Sequence, residues 1–201
     1  MSIKISVLAS GSSGNSILIS NHKRKILIDA GLSGKNIINK INKCGIKEEN
    51  LDAILVTHEH SDHIKGVGIL SRRLDLPIYA NELTWEGAES CLGDIDPKNQ
   101  KIFDSDFMIG DLGIKPFSIS HDANDPVGYV IDYQDKKIGI ATDMGYVPET
   151  VRKKLQGLDF IVLEANHDLE MLMRGSYPYY LKNRIRSKEG HLSNDATADL
   201  L

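Results

Sequence analysis

The run Thr57-His58-Glu59-His60-Ser61-Asp62-His63 constrains this chain more than any other stretch. It places three imidazoles and two carboxylates directly after the uninterrupted apolar segment Ala53-Ile54-Leu55-Val56. Such a segment reads as a buried central strand, so the cluster sits where a strand leaves the core. In an extended loop, side chains alternate with period two, which turns His58 and His60 to the same side. Both can then reach one metal ion. Asp62 and His63, a step further on, can reach a second ion beside it. Neutral imidazole and carboxylate suit Zn²⁺, with Mn²⁺ and iron as alternatives. A merely solvated polar loop would need neither the alternation nor the strand before it.

The chain has 201 residues, 41% hydrophobic and 26% charged, which fits one soluble globular domain. No apolar run approaches a membrane span, and the N-terminal residues lack a secretion signal, so the expected location is the cytoplasm, with no membrane partner. Cys44 and Cys91 lie far apart and match no metal spacing, so a metal site here uses His and Asp. The net charge of -4 provides no global field for nucleic acid, and any such binding needs a local patch. The segment from Ser193 to Leu201 begins like a helix, with Ser193 or Asn194 as N-cap, and stops without a C-cap. The expectation is that further residues follow Leu201.

Hydrophobic patterning predicts an antiparallel meander over Ile3–Val7, Ile17–Ile19 and Lys25–Ile28. Helices are predicted at Ser33–Cys44, stopped by Gly45, and at Ile64–Leu74, Leu83–Cys91 and Val147–Leu155, the last with Pro148 in its first turn. Strands are predicted near Ile78-Tyr79, at Leu112–Ser120, Gly128–Tyr133 and Lys137–Ala141, and as a buried strand at Phe160–Glu164. Sheets with helices packed outside them follow from this order.

Two ions need more ligands than the cluster holds. His121 follows the strand ending Phe117-Ser118-Ile119-Ser120, and Asp143 follows Ile138-Gly139-Ile140-Ala141-Thr142. Each stands at the end of an apolar strand, where open sheets place functional groups.

Taken together, Asp29, His58-x-His60-x-Asp62-His63, His121 and Asp143, in that order over most of the chain, resemble the metallo-β-lactamase superfamily. The resemblance implies an α/β fold, an αββα four-layer sandwich. It implies one ion on His58, His60 and His121 and a second on Asp62 and His63, with Asp143 bridging. Asp29 would hydrogen-bond to the ligand loop. The family's last histidine ligand has no certain counterpart. In Gly190-His191-Leu192-Ser193-Asn194, His191 looks like the substrate-side histidine of the nuclease branches, which puts the final ligand beyond Leu201. The alternative is that His191 itself ligates.

Three segments narrow the resemblance to the YycJ/WalJ-type branch, associated with 5′→3′ exonuclease activity on DNA. They are Ser10-Gly11-Ser12-Ser13-Gly14-Asn15-Ser16, Glu164-Ala165-Asn166-His167-Asp168 and Gly190 to Asn194. Ser12 and Asn15 stand in a turn whose backbone N–H groups can cradle a phosphate, or that simply closes a hairpin. His167 either lines the site or caps the following segment. Tyr177 to Lys188 combines three tyrosines with basic residues, among them Lys182 and Arg184. This is either a nucleic-acid contact or a solvated helix face with aromatic packing behind it.

The expected chemistry is phosphodiester hydrolysis of DNA, with RNA less favoured, by hydroxide held between two ions. Asp62 would orient the nucleophile and His191 would stabilise the departing group. A small-molecule hydrolase acting on a cyclic phosphodiester, thioester or lactone is one alternative. A non-catalytic metal-binding protein is another.

Overall fold

A computed structural model describes residues 2–201. The chain divides into two compact units. One runs to Asp111 and takes in Ala123–Asp125, and the other comprises Leu112–Asp122 and Pro126–Leu201.

The first unit is built on a six-stranded sheet. Strands β1 (Lys4–Ala9), β2 (Ser16–Ser20) and β3 (Lys25–Ile28) form the predicted antiparallel meander. Helix α1 (Gly34–Lys43) then crosses to β4 (Ala53–Leu55), which lies parallel to β3. Ile37, Ile38 and Ile41 bury one face of α1, and Gly45, at φ 76°, turns the chain out of the helix. Helices α2 (Ser61–Ile64) and α3 (Val67–Leu74) lead to β5 (Ile78–Ala80), and α4 (Glu82–Leu92) leads to β6 (Gln100–Ile102). Both β5 and β6 continue the sheet in parallel. Strand β7 (Phe107–Ile109) follows, with the Phe107 ring stacked 5.0 Å from Tyr79. Strands β6 and β7 fall in a region whose sequence pattern predicts strands and turns without fixing their bounds. Three residues are too few to display a period, and all of β6 is exposed.

The single helix expected over Ile64–Leu74 is two helices, and the first begins earlier, inside the His/Asp cluster. Backbone competition explains the break. The carbonyl of Asp62, which a continuing helix would offer to Gly66, accepts Asn15 N–H at 2.8 Å. That of His63 accepts Ala30 N–H at 2.8 Å, and Gly66 N–H turns to Ala30 O at 2.7 Å. These bonds tie the chain after β1, the chain after β3 and the start of α2 together.

The second unit carries strands β8 (Leu112–Ser118), β9 (Val127–Tyr133), β10 (Lys136–Ala141) and β11 (Phe160–Leu163), arranged β11-β10-β9-β8. Strands β8, β9 and β10 are antiparallel, whereas β11 joins β10 in parallel after the crossover helix α5 (Glu149–Lys154). Pro148 caps α5 from outside rather than occupying its first turn. Strand β11 is not the buried strand expected: it is the edge of this sheet, and Phe160 is 49% exposed. Helices α6 (Leu169–Arg174), α7 (Tyr179–Ile185) and α8 (Asn194–Ala198) complete the unit, the last capped by Ser193. Its core gathers Phe117, Ile119, Val130, Met144, Val151 and Leu192.

At Gly31 the backbone approach leaves no room for a side chain. A Cβ there would lie 1.6 Å from Asp62 O and 2.6 Å from Asn15 N. Gly31→Ala should therefore push the loop bearing Asp62 and His63 aside and lower Tm by about 5 °C or more in a thermal melt. An unchanged Tm would show that the loop adapts freely.

Candidate metal-ligand clusters

In the first unit the cluster is organised by one buried carboxylate. Asp29 leaves β3 with φ 57°, a left-handed conformation that Asp tolerates better than most residues. Its Oδ1 accepts Thr57 N–H at 2.8 Å. Its Oδ2 accepts the Thr57 hydroxyl at 2.8 Å and His63 Nδ1 at 2.7 Å. A carboxylate that only accepts requires the proton on Nδ1, so His63 carries its lone pair on Nε2. The same logic reaches His58. The Thr57 hydroxyl hydrogen is committed to Asp29, so Thr57 Oγ1 accepts from His58 Nδ1 at 3.0 Å. His58 Nε2 then bears the lone pair. Both rings are in the tautomer that binds a metal through Nε2. The His60 ring stands edge-on to His58, with centroids 4.7 Å apart.

Asp62 and His63 belong to α2, in helical conformation rather than the extended loop expected. Asp62 Oδ2 and His63 Nε2 lie 3.8 Å apart and converge on the Asn15 amide, at 3.3 and 3.0 Å. Two acceptor atoms converging on one donor is an arrangement that a cation also suits, so these residues fit a divalent ion. The Asn15 Oδ1 accepts Gly11 N–H at 2.9 Å, so this side chain is engaged at both ends, while Ser12 is exposed.

The second unit holds another convergent group. His121 is 7% exposed, and its Nδ1 donates to Gly190 O at 3.1 Å, which leaves the lone pair on Nε2. Burial pushes its pKa down, against the nearby charge of Asp143, and favours the neutral ligand form. Asp143 follows β10 at φ 54°. Ligand-type atoms of Asp143, Glu164 and His191 all lie within 4.8 Å of one another. His191 Nδ1 lies 3.1 Å from Glu164 Oε2 and 3.3 Å from Asp143 Oδ1. Burial disfavours the charged ring, but the hydrogen bonds to Asp143 and Glu164 outweigh it and lift the His191 pKa to about 9. Burial likewise raises the pKa of Glu164, opposed by His191.

Glu164 joins Asp143 and His191 here, a placement that the sequence pattern around it does not single out. Besides His191, it accepts Met144 N–H, and Leu192 N–H at 3.4 Å. The available signal was an acid at the C-terminal end of the apolar run Phe160–Leu163, the same signal that singled out Asp143.

His167 is half-buried, with its pKa lowered by burial and then by His191 and Arg186. It does not cap the following helix. Asp168 does, accepting Met171 N–H at 2.7 Å, while His167 O accepts Asn194 N–H at 2.9 Å. Lys182 Nζ donates to the carbonyls of Met173 and Gly175, each at 2.7 Å. Arg184 grips Asp122 through Nε and Nη2.

Histidine lone pairs set by the buried carboxylate of Asp29, at the end of β3, are what a divalent metal requires of its ligands. The chain belongs to the beta-lactamase superfamily, whose domain model matches residues 24–201. It is 46% identical to the exodeoxyribonuclease WalJ of Streptococcus pneumoniae, over 98% of this chain and 75% of that one. It is 42% identical to the exodeoxyribonuclease YycJ of Bacillus anthracis, over 98% and 76%. Among solved structures, a diphosphatase of the PhnP family superposes with a TM-score of 0.71 at 20% identity, covering 98% and 80% of the two chains. The fold is therefore the α/β metallo-β-lactamase fold that the motif order implied. Among the described residues, no helix is long and apolar enough to cross a membrane.

Asp29→Asn should weaken metal uptake about 10–100-fold by titration calorimetry, because it removes the carboxylate that fixes both imidazole tautomers. Glu164→Ala strips three donors of their acceptor and should lower unfolding free energy by about 1–3 kcal/mol in a denaturant titration. Glu164→Gln should retain more of that stability.

Proposed function

We propose that this protein is a metal-dependent exodeoxyribonuclease that hydrolyses phosphodiester bonds of DNA. The observation that carries the reading is the Asp29–Thr57 relay, which presents the Nε2 lone pairs of His58 and His63 to a cation. The two relatives named exodeoxyribonuclease, similar over nearly the whole chain, support DNA as the substrate.

The ligand roles proposed follow the family's motif order. His58, His60 and His121 would hold one divalent ion, Asp62 and His63 would hold the other, and Asp143 would serve as a ligand to both. Zinc suits this donor set best, with manganese or iron as alternatives. Divalent ions bound there supply an activated water and neutralise phosphate charge.

The chain's own residues do the rest. Asp29 holds His63, and through Thr57 also His58, in the ligating tautomer. Asp62 orients the nucleophile. His191, with Nδ1 between two carboxylates, presents its other face to the departing oxygen. Glu164 positions His191 for that role. Asn15 steadies the Asp62–His63 pair. Ser12, His167, Lys182 and Arg184 are assigned to the substrate-binding surroundings. For Arg184 this means shaping the surface, since its guanidinium is paired with Asp122, whereas Lys182 is bound to neutral carbonyls and keeps its charge.

The test is a substrate panel with purified protein and Zn²⁺ or Mn²⁺: 5′-phosphorylated single-stranded DNA, RNA, a chromogenic phosphodiester, a thioester and a lactone. DNA cleavage faster than every other reaction is expected. His58→Ala and Asp143→Ala should each reduce cleavage by about 10³-fold or more while circular dichroism stays that of the folded protein. Full activity in either variant would remove the assigned ligand roles.

A further inference from the structure

We infer that the segment running from the end of α6 through α7 is a stacking platform for unpaired bases of a single DNA strand. This inference rests on the reading of DNA as substrate. Residues 174–188 contain Arg174, Lys182, Arg184, Arg186 and Lys188 and no acidic residue, in a chain of net charge -4. Three tyrosines stand in the same stretch: Tyr177, Tyr179 and Tyr180 are 55%, 71% and 74% exposed. Aromatic packing behind a solvated helix would bury these rings, and it does not.

How α7 is held explains the exposure. None of its residues is fully buried, and Leu181, Lys182 and Ile185 form its half-buried stripe. Polar contacts anchor it instead. Lys182 binds two carbonyls, Arg184 binds Asp122, and His191 N–H donates to Ile185 O at 2.8 Å. Helical spacing then places Tyr179 with Asn183 and Arg186 on one exposed face, and Tyr180 with Arg184 on the next.

The contacts of Lys182, Arg186 and Lys188 are with neutral groups. These are backbone carbonyls, the Met173 thioether at 3.2 Å and the Tyr146 ring at 5.5 Å. Their positive charge therefore stays available to a polyanion. Exposed aromatic rings within a local cationic field are what a single strand requires. Its phosphates are attracted by charge and its bases stack on the rings without sequence preference. A duplex keeps its bases stacked internally and gains only the charge.

The test measures binding of a fluorescein-labelled single strand, and of the matching duplex, to metal-free protein in EDTA by fluorescence anisotropy. Tyr179→Ala/Tyr180→Ala should weaken single-strand binding about tenfold or more. Duplex affinity should change less than about threefold, and Tyr179→Phe/Tyr180→Phe should restore the single strand. A thermal melt confirms that both variants fold. The platform is overturned by absent single-strand binding in the wild type, by an alanine variant that binds normally, or by equal losses on both substrates. A phenylalanine variant as weak as the alanine one overturns it too. Adding Zn²⁺ or Mn²⁺ separates the two readings. Wild-type protein that binds the strand but never cleaves it refutes the nuclease and leaves the platform. Wild-type protein that cleaves while the alanine variant binds unchanged refutes the platform alone.

Discussion

The buried carboxylate of Asp29 is the interaction on which the first unit's chemistry depends. A carboxylate at 3% exposure persists only if its oxygens are satisfied, and Thr57 N–H, the Thr57 hydroxyl and His63 Nδ1 satisfy them. The same hydrogen bonds also decide where two histidines carry their protons. Removing the carboxylate would leave each ring free to place its lone pair inward. The relay also joins the end of β3 to the first residues after β4, so the sheet's register and the imidazole tautomers are set together.

The second unit follows a related rule with different parts. Asp143, like Asp29, stands just past a strand end in the left-handed region, at φ 54° against 57°. Such a residue holds about 1–3 kcal/mol of strain, kept in place by the structure around it. The sharp turn brings the carboxylate back beside the strand instead of letting the chain run on. In both places an Asp occupies the turn, and in both its carboxylate meets a histidine Nδ1: His63 in one unit and His191 in the other. Backbone geometry, and not only residue type, makes these two aspartates special within the chain.

Much of this was legible in the sequence because it depends on local periodicity. The strand Ala53–Leu55, the helix closed by Gly45 and the meander each carry their own signal. His58 and His60, expected on the same side of the chain, have ring centroids 4.7 Å apart. The helical placement of Asp62 and His63 and the break before Val67 were not visible, because Asn15 and Ala30, distant in sequence, compete for the carbonyls that decide them. The acid at Glu164 had the same strand-end signal as Asp143, but its role emerges only when His191, 27 residues on, is brought to it. The edge position of β11 was hidden for a similar reason: an apolar tetrapeptide looks the same whether one neighbour strand pairs with it or two.

Charge runs hide their use most thoroughly. Along Tyr177 to Lys188, composition leaves two uses open: a nucleic-acid contact, or a solvated helix face with aromatic packing behind it. The aromatic packing is not what the structure has. Lys182 and Arg184 turn to internal carbonyls and to Asp122, and the rings turn to water. A cation serves as an anchor when acceptors left over at turns and helix ends lie within reach, as the carbonyls of Met173 and Gly175 do here. A tyrosine near such anchors has no core to enter, so it remains outside, where its apolar face is unfavourable unless something covers it. The exposure of these rings is thus a consequence of how α7 is fastened. A flat, stackable, negatively charged strand would bury those rings without disturbing the anchors.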